Sequence, residues 1–282
     1  MTAAVLMIVA ALSAFNPEST TVRPRPARRT IVVDAGHGGR DNGMHGPIGG
    51  GPAIYEKNIT LAVAKKVAAD LESRGMTVVM TRKTDTLITL GDQGKIANEA
   101  RGDLFISVHV NAANTGWKDP GGARGYETYF LAEAKTEDER RVARMENASA
   151  RFDTRSSGDR DSPLSFLLND MMQNEHLRES SDLAQTIQGQ LRKIHPGPSR
   201  GVKQAGFMVL VTAFMPSVLV EIGFGTNPAE AAWISSADGQ EQIAAAIADG
   251  AMEYLAHFDR RSPASSSSAS VAAGRATPST PR

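Results

Sequence analysis

The sequence predicts a single α/β domain with a mostly parallel, twisted sheet of about five or six strands and helices on both faces. Short runs rich in Val and Ile alternate along the chain with longer segments of helical period. Such alternation is typical of parallel strands joined by helices. The length of 282 residues suits one large domain, and the hydrophobic content of 41% is that of an ordinary globular protein.

The first strand is predicted over 30–34, where β-branched apolar residues follow one another. It leads directly into a tight loop in which glycines lie on both sides of His37. Glycine permits positive φ and lets another group approach the imidazole closely. The glycine-rich stretch 40–55 continues this loop, and an irregular segment of that length inside a domain is usually functional or disordered.

The first helix is predicted from about Glu56 to Arg74, and Gly75 ends it. Apolar residues recur along it every four positions, at Ile59, Val63, Val67 and Leu71. This spacing places them on one face of a helix. Glu56 therefore lies in the first turn, where the helix dipole favours a carboxylate.

The later elements follow from the same two periodicities. Apolar runs predict strands over 76–81, 104–111 and 126–131, and the alternating character of the last is more typical of an edge strand. Helical segments are predicted over 92–101, within the charged and solvated stretch 133–160, over 163–193 and over 239–258. Two further apolar runs lie at 207–211 and 218–221.

The ends of the chain differ from this domain in composition. Residues 1–15 are apolar and have the length of a signal-peptide core, too short for a membrane span, although the usual basic start is missing. Residues 16–29 are rich in Pro and Arg, a composition that predicts a linker. Residues 259–282 are rich in Ser, Ala, Pro and Thr, which predicts a disordered tail. We therefore expect a catalytic domain over 30–258 in a protein exported to the periplasm or cell wall.

Charge and cysteine content restrict the possible functions. Lys and Arg total 31, as do Asp and Glu, so the net charge of zero gives no indication of a nucleic-acid partner. The chain has no cysteine, which excludes disulfides and thiolate ligands. Any tightly bound transition metal must therefore use His and carboxylate side chains.

Polar side chains recur at the carboxyl ends of the predicted strands. His37, Arg82, His109 and Glu221 each lie at or just after such an end. In open α/β sheets, ligands bind beyond the carboxyl ends of the strands, and the N-terminus of the helix that begins at Glu56 faces the same edge. Two imidazoles and two carboxylates are thus expected at one edge of the sheet.

Two His and one Glu match a hydrolytic zinc site, in which three protein ligands leave a fourth position for water. A second carboxylate that does not bind the metal can then carry the proton to the leaving amine. The residues alone do not decide whether Glu56 or Glu221 is the ligand. The sequence also lacks the HExxH motif of the common zinc peptidases.

Four blocks of sequence resemble, in order, the zinc-dependent N-acetylmuramoyl-L-alanine amidases. They are Asp34-Ala-Gly-His-Gly-Gly39, Glu56-Lys57, Ser107-Val-His-Val-Asn-Ala112 and Val220-Glu-Ile-Gly-Phe-Gly-Thr-Asn227. The segments Thr81-Arg82 and Gly201–Leu210 are also similar. The resemblance covers about residues 30 to 258.

The resemblance implies one zinc ion bound by His37, Glu56 and His109, with Glu221 as the catalytic acid and base. The implied reaction is hydrolysis of the amide between the lactyl group of N-acetylmuramic acid and L-alanine in peptidoglycan. Arg82 and Asn111 are candidate substrate contacts. For Arg82, pairing with a nearby carboxylate is an equally good interpretation.

The segment 133–195 is longer than in the simplest family members. In relatives similar to the division-associated amidases, an inserted helix here blocks the zinc until an activator protein displaces it. By that likeness Glu146 is a candidate for the blocking carboxylate, and an activator is a candidate partner. The alternative for Glu146 is a position on a solvated charged helix.

Two other functions remain compatible with the residues. One is a zinc peptidase of related fold that cuts a peptide bond. The other is a non-catalytic relative that binds the cell wall. The presence of all four polar positions argues against the second, because a copy without catalysis is expected to have lost at least one of them.

Overall fold

The structure is a computed structural model that describes residues 28–153 and 163–261. The signal-like segment 1–15, most of the linker and most of the C-terminal tail lie outside the described residues. The described ends of the domain are joined, because Arg29 donates hydrogen bonds to Asp103 and Asp259, both at 2.8 Å. Arg29 and Asp259 therefore pack with the domain, one residue beyond each of its expected limits.

Eight strands and seven α-helices form the described part. In chain order they are β1 (Thr30–Ala35), β2 (His45–Gly46), β3 (Ile54–Tyr55), α1 (Glu56–Ser73), β4 (Thr77–Met80), α2 (Leu90–Glu99), β5 (Leu104–Asn111), β6 (Tyr126–Leu131), α3 (Glu137–Asn147), α4 (Pro163–Leu191), β7 (Ser199–Ala205), α5 (Met208–Val211), β8 (Ser217–Phe224), α6 (Pro228–Ser235) and α7 (Ala237–Arg261).

Six of the strands form one sheet in the order β4-β1-β5-β8-β6-β7. The four strands β4, β1, β5 and β8 run parallel, whereas β6 is antiparallel to β8 and parallel to β7. The strands β2 and β3 pair separately as a small antiparallel ribbon. The predicted α/β fold with a mostly parallel sheet is confirmed.

Two details of the sheet differ from the prediction. The strand β6 lies between β8 and β7, so its expected position at the edge is wrong. The edge is β7, whose sequence Ser199–Ala205 is too polar to be recognised as a buried strand. The apolar run at 207–211 instead forms the short helix α5, of which Val209 and Leu210 are buried.

A hydrophobic core lies on each face of the sheet. Helices α1, α4 and α7 cover the first face, where they pack against alternate residues of β5 such as Ile106 and Val108. Helices α2, α3 and α5 cover the second face, where Phe105 of the same strand points. Because side chains alternate along a strand, His109 belongs with Phe105 on the α3 face.

The short helix α6 begins with a capped turn. Asn227 Oδ1 accepts hydrogen bonds from the backbone N–H groups of Ala229 and Glu230, as an N-cap residue does. Asn227 Nδ2 also donates to the carbonyl oxygen of Gly121, which ties the loop after β5 to the end of β8.

Within the described residues, no helix has both the length and the apolar character that crossing a bilayer requires.

Candidate metal centre

The loop after β1 orients the first imidazole. His37 has φ = 63°, a left-handed conformation that few residues other than glycine adopt. Its Nδ1 lies 2.8 Å from Asp41 Oδ2, and both side chains are buried. A carboxylate at this distance favours a proton on Nδ1 and leaves Nε2 as the nitrogen that faces the centre.

Glycine allows the second imidazole to lie against the same loop. A Cβ atom at Gly36 would lie 2.5 Å from the ring of His109, closer than carbon atoms approach without bonding. A Cβ at Gly43 would likewise lie 2.7 Å from the ring of His37 and 2.5 Å from Glu56 Oε2. The glycines that the sequence places beside His37 are therefore required by packing around the centre.

Glu56 lies between the two imidazoles at the start of α1. Its Oε2 accepts a hydrogen bond from Met44 N–H at 2.7 Å, and its Oε1 accepts one from Val110 N–H at 2.8 Å. The same oxygens lie 3.1 Å from His37 Nε2 and 3.2 Å from His109 Nδ1. Two backbone donors, one from the glycine loop and one from β5, thus fix the carboxylate in a single orientation.

Glu146 of α3 completes the cluster. Its Oε2 lies 2.9 Å from His37 Nε2 and 2.8 Å from His109 Nδ1. The side chain is buried together with Val142 and Ala143 of α3. The expectation of a solvated helix is therefore wrong for the face of α3 that turns towards the sheet, and correct only for its outer face.

These four side chains meet the requirements of a metal site. They can each offer one atom such that all four atoms lie within 4.8 Å of one another, and all four residues are buried. Ligand atoms around a tetrahedral zinc ion lie roughly 3.3–3.6 Å apart, given bonds of about 2.0–2.2 Å. The observed separations of 2.8–3.2 Å are slightly tighter than these.

The carboxylates around the two imidazoles make this cluster favourable for an added positive charge. Burial lowers the pKa of the His109 imidazole, but Glu146 and Glu56 outweigh it and raise that pKa to about 10. The pKa of His37 also lies well above its ordinary value, because Glu56 and Asp41 outweigh its burial. Without a metal ion, protonated imidazoles neutralise the carboxylates. A divalent cation bound among the four groups would supply that positive charge instead.

Glu221 lies beside this cluster with a different environment. It pairs with His109 in the register of β5 and β8, so the two side chains point to the same face of the sheet. Among the described residues, neither oxygen of Glu221 has a hydrogen-bond partner, although the side chain is fully buried. Burial and the neighbouring Glu146 raise the pKa of the Glu221 carboxyl well above its ordinary value.

Arg82 and Asn111, the two candidate substrate contacts, are both buried in this structure. Arg82 donates to the carbonyl oxygens of Ala35, Gly36 and Lys57, and so ties the end of β1 to the start of α1. These contacts give it a structural role. Asn111 Nδ2 donates to Glu127 Oε1, and its Oδ1 lies 3.5 Å from Arg141 of α3.

Two participants of the centre are not among the sequence-based candidates. Asp41 has a recognisable signal, because it lies four residues after His37 within the same glycine loop. Glu127, on β6, has none. It pairs in register with Glu221 only because β6 runs antiparallel beside β8, which the sequence does not indicate.

A mostly parallel sheet with a buried His and Glu cluster that could bind a metal ion, at the carboxyl ends of its strands, indicates an enzyme of the α/β class. The family model described as N-acetylmuramoyl-L-alanine amidase (Amidase_3) matches residues 31–253. This match covers most of the chain, which therefore belongs to the N-acetylmuramoyl-L-alanine amidase family.

Individual relatives agree with this assignment. The chain is 34% identical over 236 residues to the N-acetylmuramoyl-L-alanine amidase AmiA of Escherichia coli, covering 83% of this chain and 78% of AmiA. Its fold is similar to that of the N-acetylmuramoyl-L-alanine amidase of Clostridium difficile 630, with a TM-score of 0.59 and 29% identity over 81% of this chain and 97% of the other. The amidase AmiC2 of Nostoc punctiforme gives a TM-score of 0.58 with 27% identity and the same coverage.

Replacing Gly36 tests the close contact in the centre. Gly36→Ala places a methyl group against the His109 ring and displaces it, so we expect zinc affinity to fall at least tenfold while the fold is retained. Zinc affinity is measured by competition with a chelator, and folding by circular dichroism. Gly189→Ala is the control, because that glycine of α4 has open space around its Cβ position. Unchanged zinc affinity in Gly36→Ala would contradict the geometry.

Proposed function

We propose that this chain hydrolyses the amide between the lactyl group of N-acetylmuramic acid and L-alanine of peptidoglycan, with one zinc ion held by His37, Glu56 and His109. The observation that supports this most strongly is the buried cluster at the carboxyl edge of the sheet, in which both imidazoles face the same carboxylates. Membership of the amidase family indicates the bond that is cut.

In this proposal His37, Glu56 and His109 bind the metal ion, and Glu221 transfers protons. When bound, zinc supplies Lewis acidity and lowers the pKa of a coordinated water. Asp41 holds His37 in the tautomer that presents Nε2 to the ion. Glu221 accepts a proton from the attacking water and delivers it to the departing alanine nitrogen. Its carboxyl group suits this role because it is buried beside His109 and has no hydrogen-bond partner among the described residues.

Helix α3 acts in this proposal as an inhibitory element within the segment 133–195. Glu146 Oε2 lies 2.9 Å from His37 Nε2 and 2.8 Å from His109 Nδ1. A carboxylate there takes the coordination position that hydrolysis needs for water. The active state then requires the Glu146 carboxylate to leave this position, and an activator protein that binds the 133–195 segment and moves α3 is the expected cause.

The proposed reaction also fits an exported protein. Peptidoglycan lies outside the cytoplasm, and the apolar segment 1–15 has the composition of a signal-peptide core. We therefore place the catalytic domain, residues 30–258, in the periplasm or cell wall.

Two substitutions separate metal binding from proton transfer. His109→Ala should lose bound zinc and all hydrolysis of purified sacculi. Glu221→Ala should keep zinc but lose about 10²- to 10⁴-fold in turnover, the usual contribution of a general acid and base. Zinc is measured by elemental analysis and turnover by chromatography of the released products. His176→Ala is the control, because His176 pairs with Glu179 on α4, outside the cluster.

The products of the same assay identify the bond. Release of intact stem peptides with a free L-alanine amine supports the amidase, whereas peptides cut internally would support a peptidase instead. Full activity in both His109→Ala and Glu221→Ala would contradict the proposed mechanism.

Removing the Glu146 carboxylate should activate the enzyme without an activator. Glu146→Ala frees the position facing the imidazoles, so we expect basal hydrolysis of sacculi to rise at least tenfold. Glu137→Ala is the matched control, because it removes the same charge from the exposed face of α3. If Glu146→Ala had the basal activity of the unchanged protein or lost it, then Glu146 would not be inhibitory.

A further inference from the structure

A second ionic cluster lies beneath the N-terminal end of α3. Arg200 and Lys203 of the edge strand β7, here called the β7 cation pair, contact two carboxylates. One is Glu127 of β6, which accepts a hydrogen bond from Arg200 Nε at 3.0 Å and pairs with Lys203 Nζ. The other is Asp138 of α3, whose Oδ2 lies 2.9 Å from Arg200 Nη2 and 3.3 Å from Lys203 Nζ.

The two carboxylates differ in how they are held. Glu127 is fully buried in the sheet, where its Oε1 accepts hydrogen bonds from Asn111 Nδ2 and from Tyr129 O–H. Among the described residues, Asp138 is held through ion pairs with Arg141, Arg200 and Lys203, and it belongs to the helix that the proposed activator moves. Its side chain keeps 28% of its surface exposed. Glu127 therefore stays beside the β7 cation pair when α3 moves, whereas Asp138 leaves with the helix.

The cation pair lies in line with the reaction centre. His109, Glu221 and Glu127 are register partners on the adjacent strands β5, β8 and β6, so their side chains form one row on the α3 face. Strand β7 continues this row, and Arg200 follows Ser199, the register partner of Tyr126. With strands about 4.8 Å apart, the pair lies about 10 Å from the strand that carries Glu221.

Helix α3 covers both ends of this row with a carboxylate. Glu146 faces the imidazoles, and Asp138, eight residues earlier, faces the β7 cation pair. A rise of 1.5 Å per residue separates them by about 12 Å along the helix axis. If α3 leaves, Glu127 is the one carboxylate among the described residues that still forms ion pairs with the two cations, so these pairs no longer neutralise both positive charges.

We propose that the β7 cation pair is a subsite for a carboxylate of the peptidoglycan stem peptide, and that Asp138 occupies this subsite while α3 is in place. The proposal rests on the proposed function, since it takes the scissile amide to lie at the metal centre. An extended peptide advances about 3.3–3.6 Å per residue, so the third residue after that amide reaches about 10–11 Å. This reach is close to the distance of about 12 Å between the two acidic residues along the axis of α3.

The test uses the full-length chain with Glu146→Ala and Asp138→Ala, so that neither carboxylate of α3 occupies the site, loaded with zinc, and a pair of substrates. One is a muramoyl tripeptide with free carboxyl groups, and the other is the same compound with those groups converted to primary amides. Amidation should raise KM about 10- to 100-fold, as expected for loss of a charged hydrogen bond, and should change kcat less than threefold. Calorimetric binding of the two free tripeptides should show the same ratio without hydrolysis.

Substitutions in the protein localise the effect. Lys203→Gln added to the Glu146→Ala and Asp138→Ala chain should abolish most of the difference between the two tripeptides. Lys95→Gln is the matched control, because that side chain on α2 is 69% exposed and pairs with Glu99 of the same helix. If Lys203→Gln does not fold, the tripeptide pair alone decides, since it leaves the protein unchanged.

The outcomes separate the subsite from the proposed function. The subsite would be overturned if amidation changed both KM and the dissociation constant less than twofold. It would also be overturned if Lys203→Gln weakened the binding of both tripeptides equally. If the chain with Glu146→Ala and Asp138→Ala hydrolyses neither substrate yet prefers the tripeptide with free carboxyl groups tenfold in binding, the subsite stands and the proposed function fails.

Discussion

The carboxylate of Glu56 is held by two backbone N–H groups, and the rest of the centre depends on this constraint. Met44 lies in the glycine loop and Val110 lies on β5, so the two hydrogen bonds join the loop after β1, the start of α1 and the end of β5. Both imidazoles then face the same fixed charge. A buried carboxylate is costly without partners, and here two N–H donors and two imidazoles provide them.

The polar contacts of α3 suggest why a helix can both block the site and leave it. Its N-terminus has a capping box between Thr136 and Glu139, and these bonds lie within the helix and its cap. Its apolar contact with the sheet consists mainly of Val142 and Ala143. Ion pairs at each end therefore provide much of its attachment. Such contacts can be exchanged for those of a partner or a substrate at a smaller cost than a hydrophobic core.

The sequence predicted the parts of the site that follow from parallel strands. His37, His109 and Glu221 end buried strands, and strand ends of one parallel sheet must meet at one edge. It predicted the strand β6 but neither its antiparallel direction nor the strand β7, because the pairing of Glu127 with Glu221 depends on tertiary contacts between distant segments. The sequence also did not decide the position of Glu146, because a charged helix has the same composition whether its inner face contacts solvent or a metal centre.

The most direct test of the account is X-ray absorption at the zinc edge of the loaded protein. The account predicts a four-coordinate ion with two imidazole nitrogens and carboxylate oxygens at about 2.0–2.2 Å. In Glu146→Ala one carboxylate oxygen should be replaced by water, with both imidazoles kept. A spectrum without imidazole scattering, or one that is identical in the two proteins, would contradict the claim that His37, Glu56, His109 and Glu146 converge on a single ion.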